Sequence, residues 1–136
     1  MRTIVLVACA SSKQARAAQA KELYTSSLFR KAYAYAESLK PDAIYILSAK
    51  HGLVKPEQVL EPYNTTLNKM PKAKREEWAG RVLEQLRGCC DLEHDRFVFL
   101  AGSNYRAGII PHLKHYETPL QGLGIGKQLA WLGEHA

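Results

Sequence analysis

Four short segments of the chain combine small residues, hydroxyl groups and one cation, and contain no acidic residue. They are CASSKQ (9–14), SAKHGLV (48–54), AGSNYR (101–106) and QGLGIGKQ (121–128), with the cations Lys13, Lys50, Arg106 and Lys127. Small residues let backbone N–H groups approach a ligand, and hydroxyls add hydrogen-bond donors. Cations without carboxylates beside them favour an anion. If these segments converge in the fold, they predict a phosphate-binding pocket, whereas each cation alone would be an ordinary solvated side chain.

Apolar runs precede the first three of these segments, at residues 3–8, 43–47 and 97–101. The runs are rich in β-branched and aromatic residues and do not alternate with polar ones, which is typical of strands buried on both faces of a parallel sheet. A short fourth strand is predicted near residues 116–120. Ligands of open parallel sheets bind outside the carboxyl ends of the strands, so we expect the four segments to meet there.

Helical patterns separate the strands. Residues 24–40 predict an amphipathic helix, and residues 71–88 predict a second that begins at Pro71 and ends at Gly88. A third is expected over residues 105–116, with Pro111 inside it, and a last one over residues 126–135. The predicted inward positions are Leu28, Ala32, Tyr35 and Leu39 in the first, Ala79, Val82, Leu83 and Leu86 in the second, and Leu129 and Leu132 in the last.

This alternation of strands and helices indicates an α/β fold, specifically a three-layer, Rossmann-like parallel sheet of three to four strands with helices on both faces. The chain has 136 residues, of which 46% are hydrophobic. That length and balance predict a single α/β domain over residues 1–136.

The net charge of +6 is uneven, with +5 in residues 1–50 and +3 in residues 69–87. A basic balance favours polyanionic partners such as phosphorylated small molecules, nucleotides or nucleic acid. The segment NKMPKAKREEW (68–78) has two interpretations. It is either a nucleic-acid-binding patch or, as we favour, a solvated helix start, because Glu76 and Glu77 partly cancel its cations.

The compartment depends on how the first residues are interpreted. A small residue before Cys9 resembles a lipoprotein cleavage site, but the apolar run 4–8 is shorter than the roughly 7–15 residues of a signal peptide. No stretch approaches the roughly 18 apolar residues of a membrane span. The three cysteines have no metal-type spacing. We therefore expect a cytoplasmic protein without membrane, metal or cofactor.

Candidate catalytic groups are His51 and Glu61. His51 follows the second strand, where an imidazole could move protons, although a lone histidine is more often structural. Glu61, in the loop segment EPYNTT, could act as a base or a nucleophile, or be a solvated loop residue. Cys9 could be a nucleophile activated by Lys13, but its place in an apolar run favours a buried thiol.

The remaining candidates would bind substrate. Tyr24 begins the first predicted helix, and an adjacent hydroxyl would cap it. Tyr105 and Arg106 could stack a base and hold a phosphate. Gly-Leu-Gly-Ile-Gly-Lys (122–127) matches neither a dinucleotide nor a P-loop fingerprint, and is either an anion site or a tight turn. The full predicted binding set is Ser11, Ser12, Lys13, Tyr24, Ser27, Lys50, Gly52, Tyr63, Ser103, Tyr105, Arg106, Gly124, Gly126 and Lys127.

Five segments taken together carry a resemblance: VLVACASSK, LYTSSLFRKAYAYAE, YILSAKHGLV, EPYNTTL and GLGIGKQLAWL. The chain resembles, over almost its whole length, a family of short bacterial and phage domains of unknown function, itself loosely similar to nucleotide-centred α/β domains. The resemblance implies the fold more than a reaction. The residues that it points to are Ser11, Ser12, Lys13, Tyr24, Ser27, Lys50, His51, Gly52, Glu61, Tyr63, Gly124 and Lys127.

We expect an enzyme that acts on a nucleotide or nucleic-acid component through a phosphate-binding pocket at the strand ends. N-glycosidic cleavage or base exchange is the favoured reaction. The alternative is a non-catalytic nucleotide sensor or nucleic-acid-binding module that uses the same pocket. Neither the base nor the oligomeric state follows from the sequence.

Overall fold

The computed structural model describes residues 1–9 and 13–135. Its strands are β1 (Thr3–Ala8), β2 (Ala18–Gln19), β3 (Ala43–Ser48), β4 (Gly52–Val54), β5 (Val59–Leu60), β6 (Arg96–Leu100) and β7 (His115–Glu117). Its α-helices are α1 (Ala20–Leu23), α2 (Ser27–Ser38), α3 (Lys72–Cys89), α4 (Ser103–Arg106) and α5 (Ile125–His135). Short 3₁₀ turns lie at Leu67–Lys69 and Ile110–His112.

The main sheet has five strands in the order β4-β3-β1-β6-β7. Strands β3, β1, β6 and β7 are parallel, as the sequence predicted, and β4 is antiparallel to β3. This fifth strand was not predicted, because β4 follows β3 after a tight turn and the small and polar residues of that turn are typical of a loop. Strands β2 and β5 form a separate antiparallel pair. The molecule is therefore a mixed α/β protein with a mostly parallel sheet.

Strand β1 lies at the centre of the sheet, and the chain leaves it in two directions. The next parallel strand, β3, pairs on one side of β1, and β6 then pairs on the other side. Loops at the carboxyl ends of β1 and β6 consequently diverge to opposite faces of the sheet. Such a switch point opens a crevice between the two strand ends.

Both faces of the sheet are covered by helices, which explains the continuous apolar strands. Ile4, Leu6 and Phe97 pack on one face against α3, and Val5, Val7 and Leu100 pack on the other against α2 and α5. In α3 the predicted inward residues Ala79, Val82, Leu83 and Leu86 are all buried, together with Trp78. In α5, Leu132 is fully buried and Leu129 half-buried.

The buried stripe of α2 differs from the predicted one. Phe29, Ala32 and Ala36 are buried, whereas Leu39 follows the helix and is exposed. The helix is rotated from the predicted stripe because α5 packs beside it. Tyr35 contacts Trp131 of α5, with ring centroids 5.0 Å apart, and is half-buried.

The predicted third helix is wrong. Helix α4 ends at Arg106, the chain forms a 3₁₀ turn that contains Pro111, and β7 begins at His115. Proline has no N–H to donate and blocks a continuous helix, so the apolar spacing of residues 105–116 does not produce one. Tyr116 lies instead on β7 and is exposed.

Within the described residues, no helix combines the length and the apolar character that crossing a membrane requires.

Candidate functional site

A cavity of about 270 Å³ opens at the carboxyl ends of β1 and β6. Its walls include apolar side chains, namely Leu28, Phe29, Leu100, Leu120 and Ile125. Its polar lining comprises Cys9, Ser26, Asn68, Tyr105 and Gln128. We call it the apolar cavity. It lies in the crevice that the switch point between β1 and β6 creates.

Helices α2 and α5 begin at this cavity. Ser26 caps α2, since its hydroxyl oxygen accepts a hydrogen bond from the backbone N–H of Phe29 at 3.1 Å. The sequence predicted that one hydroxyl would cap this helix and that Ser27 would bind the ligand. Ser27 is exposed and lines neither this cavity nor the neighbouring one described below, whereas Ser26 lines the apolar cavity.

A second depression, of about 480 Å³, adjoins the apolar cavity, and Asn68 lines both. Its other lining residues are Lys13, Asn64, Thr65, Thr66 and Lys69. We call it the polar groove. The described residues that line these two spaces include no Asp or Glu.

The polar groove is built by the segment between β5 and α3. Tyr63 and Leu67 are buried and anchor this segment in the interior. The residues between and after these anchors line the groove. Sequence reasoning missed Asn64, Thr65, Thr66, Asn68 and Lys69. The alternation of buried anchors with polar residues in YNTTLNK was the signal that could have found them.

A chain of buried hydroxyl groups lies behind the groove. The Tyr63 hydroxyl hydrogen-bonds to the Tyr24 hydroxyl at 2.5 Å and to Ser48 Oγ at 2.7 Å. Ser48 Oγ also accepts from the backbone N–H of His51 at 3.1 Å. Burial raises the pKa of Tyr24 to about 12 and raises the pKa of Tyr63 as well, so both phenols stay protonated at neutral pH. The chain joins β3 to the two loops that frame Lys13.

Lys13 is placed by these two aromatic rings. Its Nζ atom lies 4.4 Å from the ring centroid of Tyr63 and 5.7 Å from that of Tyr24. Lys13 also pairs through its backbone with Tyr24 in an isolated antiparallel bridge. Burial lowers the pKa of the ammonium group. The rings thus hold a cation at the edge of the polar groove.

Cys9 is half-buried and packs against both hydrophobic clusters, but it also lines the apolar cavity, so the expectation of a buried thiol is confirmed only in part. Its Sγ atom lies 3.3 Å from the Tyr105 hydroxyl. Burial and the nearby Cys9 raise the pKa of Tyr105, which keeps its phenol protonated. The switch point explains the exposure, because Cys9 follows β1 where the neighbouring loops diverge.

The two predicted catalytic residues line neither space. The His51 ring packs edge-on against the Tyr63 ring at 5.5 Å, behind the groove. Burial lowers the His51 pKa, and the nearby charges of Lys50 and Arg81 lower it further, so the imidazole is neutral at neutral pH. Glu61 is exposed after β5.

The segment after β3 forms a hairpin instead of the predicted open loop. Gly52 has a φ of 76°, and a Cβ atom there would collide with the side-chain oxygen of Gln85. Lys50 is exposed in the turn, and its carbonyl accepts a hydrogen bond from Arg81 at 3.2 Å. Gly52 is therefore required by the turn, and neither Lys50 nor Gly52 lines the cavity or the groove.

The other predicted binding residues divide between structural and solvated positions. Arg106 donates to the carbonyl of Ala101 at 2.8 Å and so fixes the end of β6. Ser11 and Ser12 lie outside the described residues. Of the four predicted phosphate cations, Lys13 is the one that lines the groove or the cavity. The predicted residues that are exposed and line neither are Ser103, Gly124, Gly126 and Lys127.

A search of residues 1–9 and 13–135 finds no cluster of three or more His, Cys, Asp or Glu side chains that could hold a metal ion.

The chain belongs to the family of unknown function DUF6884, whose model matches residues 4–134. This confirms that it is a member of an uncharacterised family. No curated protein and no solved structure matches the chain. The family assigns no reaction, so any function must be argued from the cavity and the groove.

Proposed function

We propose that this DUF6884 protein is an enzyme that acts on a nucleotide or nucleic-acid component, with the base in the apolar cavity and the phosphate in the polar groove. One observation carries the proposal. Asn68 lines both spaces, so a ligand with one flat apolar part and one anionic part could occupy the two together. Nucleotides have this construction.

The apolar cavity suits a base. Its volume of about 270 Å³ lies just below the roughly 300 Å³ at which small-molecule pockets begin, which suits one small planar group, and Phe29, Leu100 and Ile125 offer surfaces against which a planar ring can pack. Tyr105, Gln128 and Asn68 supply hydrogen-bonding groups at its walls. A few polar groups in an apolar pocket are what fixes the orientation of a ligand.

The polar groove suits a sugar phosphate. Lys13 and Lys69 provide positive charge, and the hydroxyls of Thr65 and Thr66 provide hydrogen-bond donors. The absence of carboxylates among the described lining residues removes the repulsion that an anion would meet. The phosphate site proposed here uses Lys13 and Lys69 in place of the four cations expected from the sequence.

The proposed reaction is N-glycosidic cleavage or base exchange. In cleavage, the oxygen of a water molecule bonds to the anomeric carbon as the C–N bond breaks, the water loses a proton and the base leaves with one; in exchange, a nitrogen of an incoming base takes the place of water. The bond that joins base to sugar would lie where the two spaces meet, at Asn68. Cys9 Sγ and the Tyr105 hydroxyl lie 3.3 Å apart in the wall of the cavity, and the protonated Tyr105 phenol can donate to a ligand atom. A Rossmann-like arrangement of the sheet would place this bond at the crevice in which such folds bind ligands.

A non-catalytic nucleotide sensor is the second candidate. It is favoured by the position of His51 and Glu61, neither of which lines the cavity or the groove. Under the enzyme proposal the Tyr105 phenol donates the proton, so Y105F would lose release of free base, measured by chromatography, and would keep nucleotide affinity, whereas H51A and E61Q would keep both. If the wild-type protein binds nucleotides and releases no base, the sensor is correct.

Binding is tested by thermal shift and by protection of Cys9. We expect at least one nucleoside monophosphate to raise the melting temperature and to slow alkylation of Cys9 by iodoacetamide, followed by peptide mass spectrometry. Exposed Cys89 is the internal control, and its alkylation should not change. The proposal is wrong if no nucleotide, nucleoside phosphate or oligonucleotide shifts the melting temperature.

A further inference from the structure

A third depression lies on the side of α3, and a hydrogen bond between their lining residues Asn68 and Asn104 links it to the polar groove. This depression has a volume of about 190 Å³. Its lining includes Lys72, Arg75 and Glu76 of α3, Asn104 of α4, and Gly108, which follows α4. Asn104 Nδ2 donates a hydrogen bond to Asn68 Oδ1 at 2.8 Å. The Asn68–Asn104 pair therefore lies where the apolar cavity, the polar groove and this third depression approach one another.

The charges along the two outer depressions have one predominant sign. Lys13 and Lys69 line the polar groove, and Lys72 and Arg75 line the third depression. Glu76 is the acidic residue in the described lining, and it lies 4.0 Å from Lys72 in an exposed pair that solvent screens. The two depressions thus have four cations and one carboxylate among their described lining residues, which is more positive charge than one phosphate group would neutralise.

We infer that the ligand is one unit of a single-stranded nucleic acid, whose base occupies the apolar cavity while its phosphate backbone follows the polar groove and the third depression. The inference rests on the proposed function and specifies its substrate class. A mononucleotide would use Lys13 and Lys69 and leave Lys72 and Arg75 without a role. A strand places a further phosphate beside each part of the path.

The requirement for a single strand follows from the cavity. A base can enter a pocket between β1 and β6 only when it is unpaired and unstacked, and this costs least in a strand that is already single. Hydroxyl and amide groups in the groove, from Asn64, Thr65 and Thr66, can contact sugar and phosphate without reading the sequence. We therefore expect weak preference for sequence outside the unit in the cavity.

The test compares a fluorescein-labelled 12-nucleotide single strand of mixed sequence, as DNA and as RNA, with the four nucleoside monophosphates. The variant K72Q/R75Q removes two charges from the third depression. Its matched control, K40Q/K114Q, removes two charges just before β3 and β7, at the amino ends of the strands. The single variant K72Q serves if loss of the Arg75 hydrogen bond to the Met70 carbonyl impairs folding.

We expect K72Q/R75Q to weaken binding of the single strand about tenfold at low salt. The slope of log affinity against log salt should fall by about 1.4, since each phosphate contact contributes about 0.7 for single strands. The affinity of K72Q/R75Q for mononucleotides should stay within about twofold of the wild-type value. The control variant should have wild-type affinity for both the single strand and the mononucleotides. A 12-base-pair duplex should bind more weakly than the single strand.

The outcomes separate this inference from the proposed function. If mononucleotides bind and the strand binds no more tightly, or if the control weakens the strand equally, the inference is wrong and the nucleotide site stands. If the strand binds through Lys72 and Arg75 while no mononucleotide binds and Cys9 is not protected, the base does not occupy the apolar cavity, and both the proposed function and this inference are wrong. If neither ligand binds, both proposals are wrong.

Discussion

Strands β1 and β3 end in similar residues, yet one end opens on a cavity and the other closes into a hairpin. Each run of apolar residues is followed by small residues, a hydroxyl and a lysine. After β1, Cys9 lines the apolar cavity and Lys13 reaches the polar groove. After β3, the chain turns at Lys50 and His51 and returns as β4. The same composition thus lines a cavity and a groove in one place and forms a hairpin turn in the other.

Two features of the fold produce this difference. Strand β1 is central and borders the switch point, so its end has a crevice beside it. Strand β3 has only β4 on its outer side, and Gly52 provides the positive φ that lets the chain reverse. Residue types at a strand end therefore predict a binding site only when the strand order is known.

The largest expected effect comes from a substitution that strains the turn of the β3–β4 hairpin. G52A forces a non-glycine residue into φ 76° and displaces Gln85, which accepts a hydrogen bond from the Leu53 N–H at 2.8 Å. We expect the free energy of unfolding, measured in urea, to fall by about 2–4 kcal/mol from backbone strain and the lost hydrogen bond.

A glycine in α3 provides the control for G52A. Gly80 has no atom near an added Cβ, so G80A should stabilise by up to about 1 kcal/mol because alanine is the better helix former. The double variant G52A/Q85A removes the collision and retains the strained φ. If G52A alone is as stable as the wild type, the hairpin does not depend on glycine.

This comparison also shows what the sequence could predict. The strands β1, β3 and β6 and the helix α3 followed from apolar runs and spacing, because burial on both faces leaves a clear pattern. The hairpin at Gly52 did not follow, because an antiparallel return and a βα loop begin with the same small and polar residues. The single-domain prediction and the compartment stay predictions.

The site was predictable to a smaller extent. Lys13 and Tyr105 were identified because they follow strands, and both line the cavity or the groove. Asn68 and Lys69 were missed because they belong to a long irregular segment whose position depends on how Tyr63 and Leu67 pack against residues that are distant in sequence. Cys9 was assigned to the core because an apolar run does not show where its strand becomes accessible.

The second effect breaks the chain of hydroxyl groups formed by Tyr24, Tyr63 and Ser48, in which Ser48 ends β3. Y63F keeps the ring beneath Lys13 and removes the oxygen that Tyr24 and Ser48 contact, leaving buried groups without that partner. We expect a loss of about 1–3 kcal/mol in the free energy of unfolding. Y116F, at an exposed tyrosine, is the control and should change it little. Equal stability of Y63F and wild type would show that the chain contributes nothing.

The third effect distinguishes the two lysines directly. K13Q removes the cation of the polar groove and should lower nucleotide affinity about tenfold, equivalent to about 1.4 kcal/mol. K50Q removes an equal charge from the hairpin turn and should change affinity less than twofold. Isothermal titration with the nucleotide identified by thermal shift measures both. If K50Q weakens binding as much as K13Q, the two strand ends contribute to one anion site after all.

The smallest effect is the pH dependence contributed by His51. Burial, Lys50 and Arg81 lower its pKa in the folded protein below the ordinary value of about 6.5. Below about pH 6.5 the unfolded chain binds a proton that the folded protein resists, so the stability due to neutral His51 is complete above that pH and is lost as the pH falls towards the folded pKa. His94 titrates in the opposite direction, because the Asp91 carboxylate raises its pKa.

The measurement is therefore the difference between wild type and H51Q in urea unfolding at pH 7.5 and 5.5. We expect H51Q to lose less stability than the wild type over this interval, with H94Q losing more. An identical loss in H51Q and wild type would mean that the ring behind Tyr63 is fully solvated and that the hairpin turn does not enclose it.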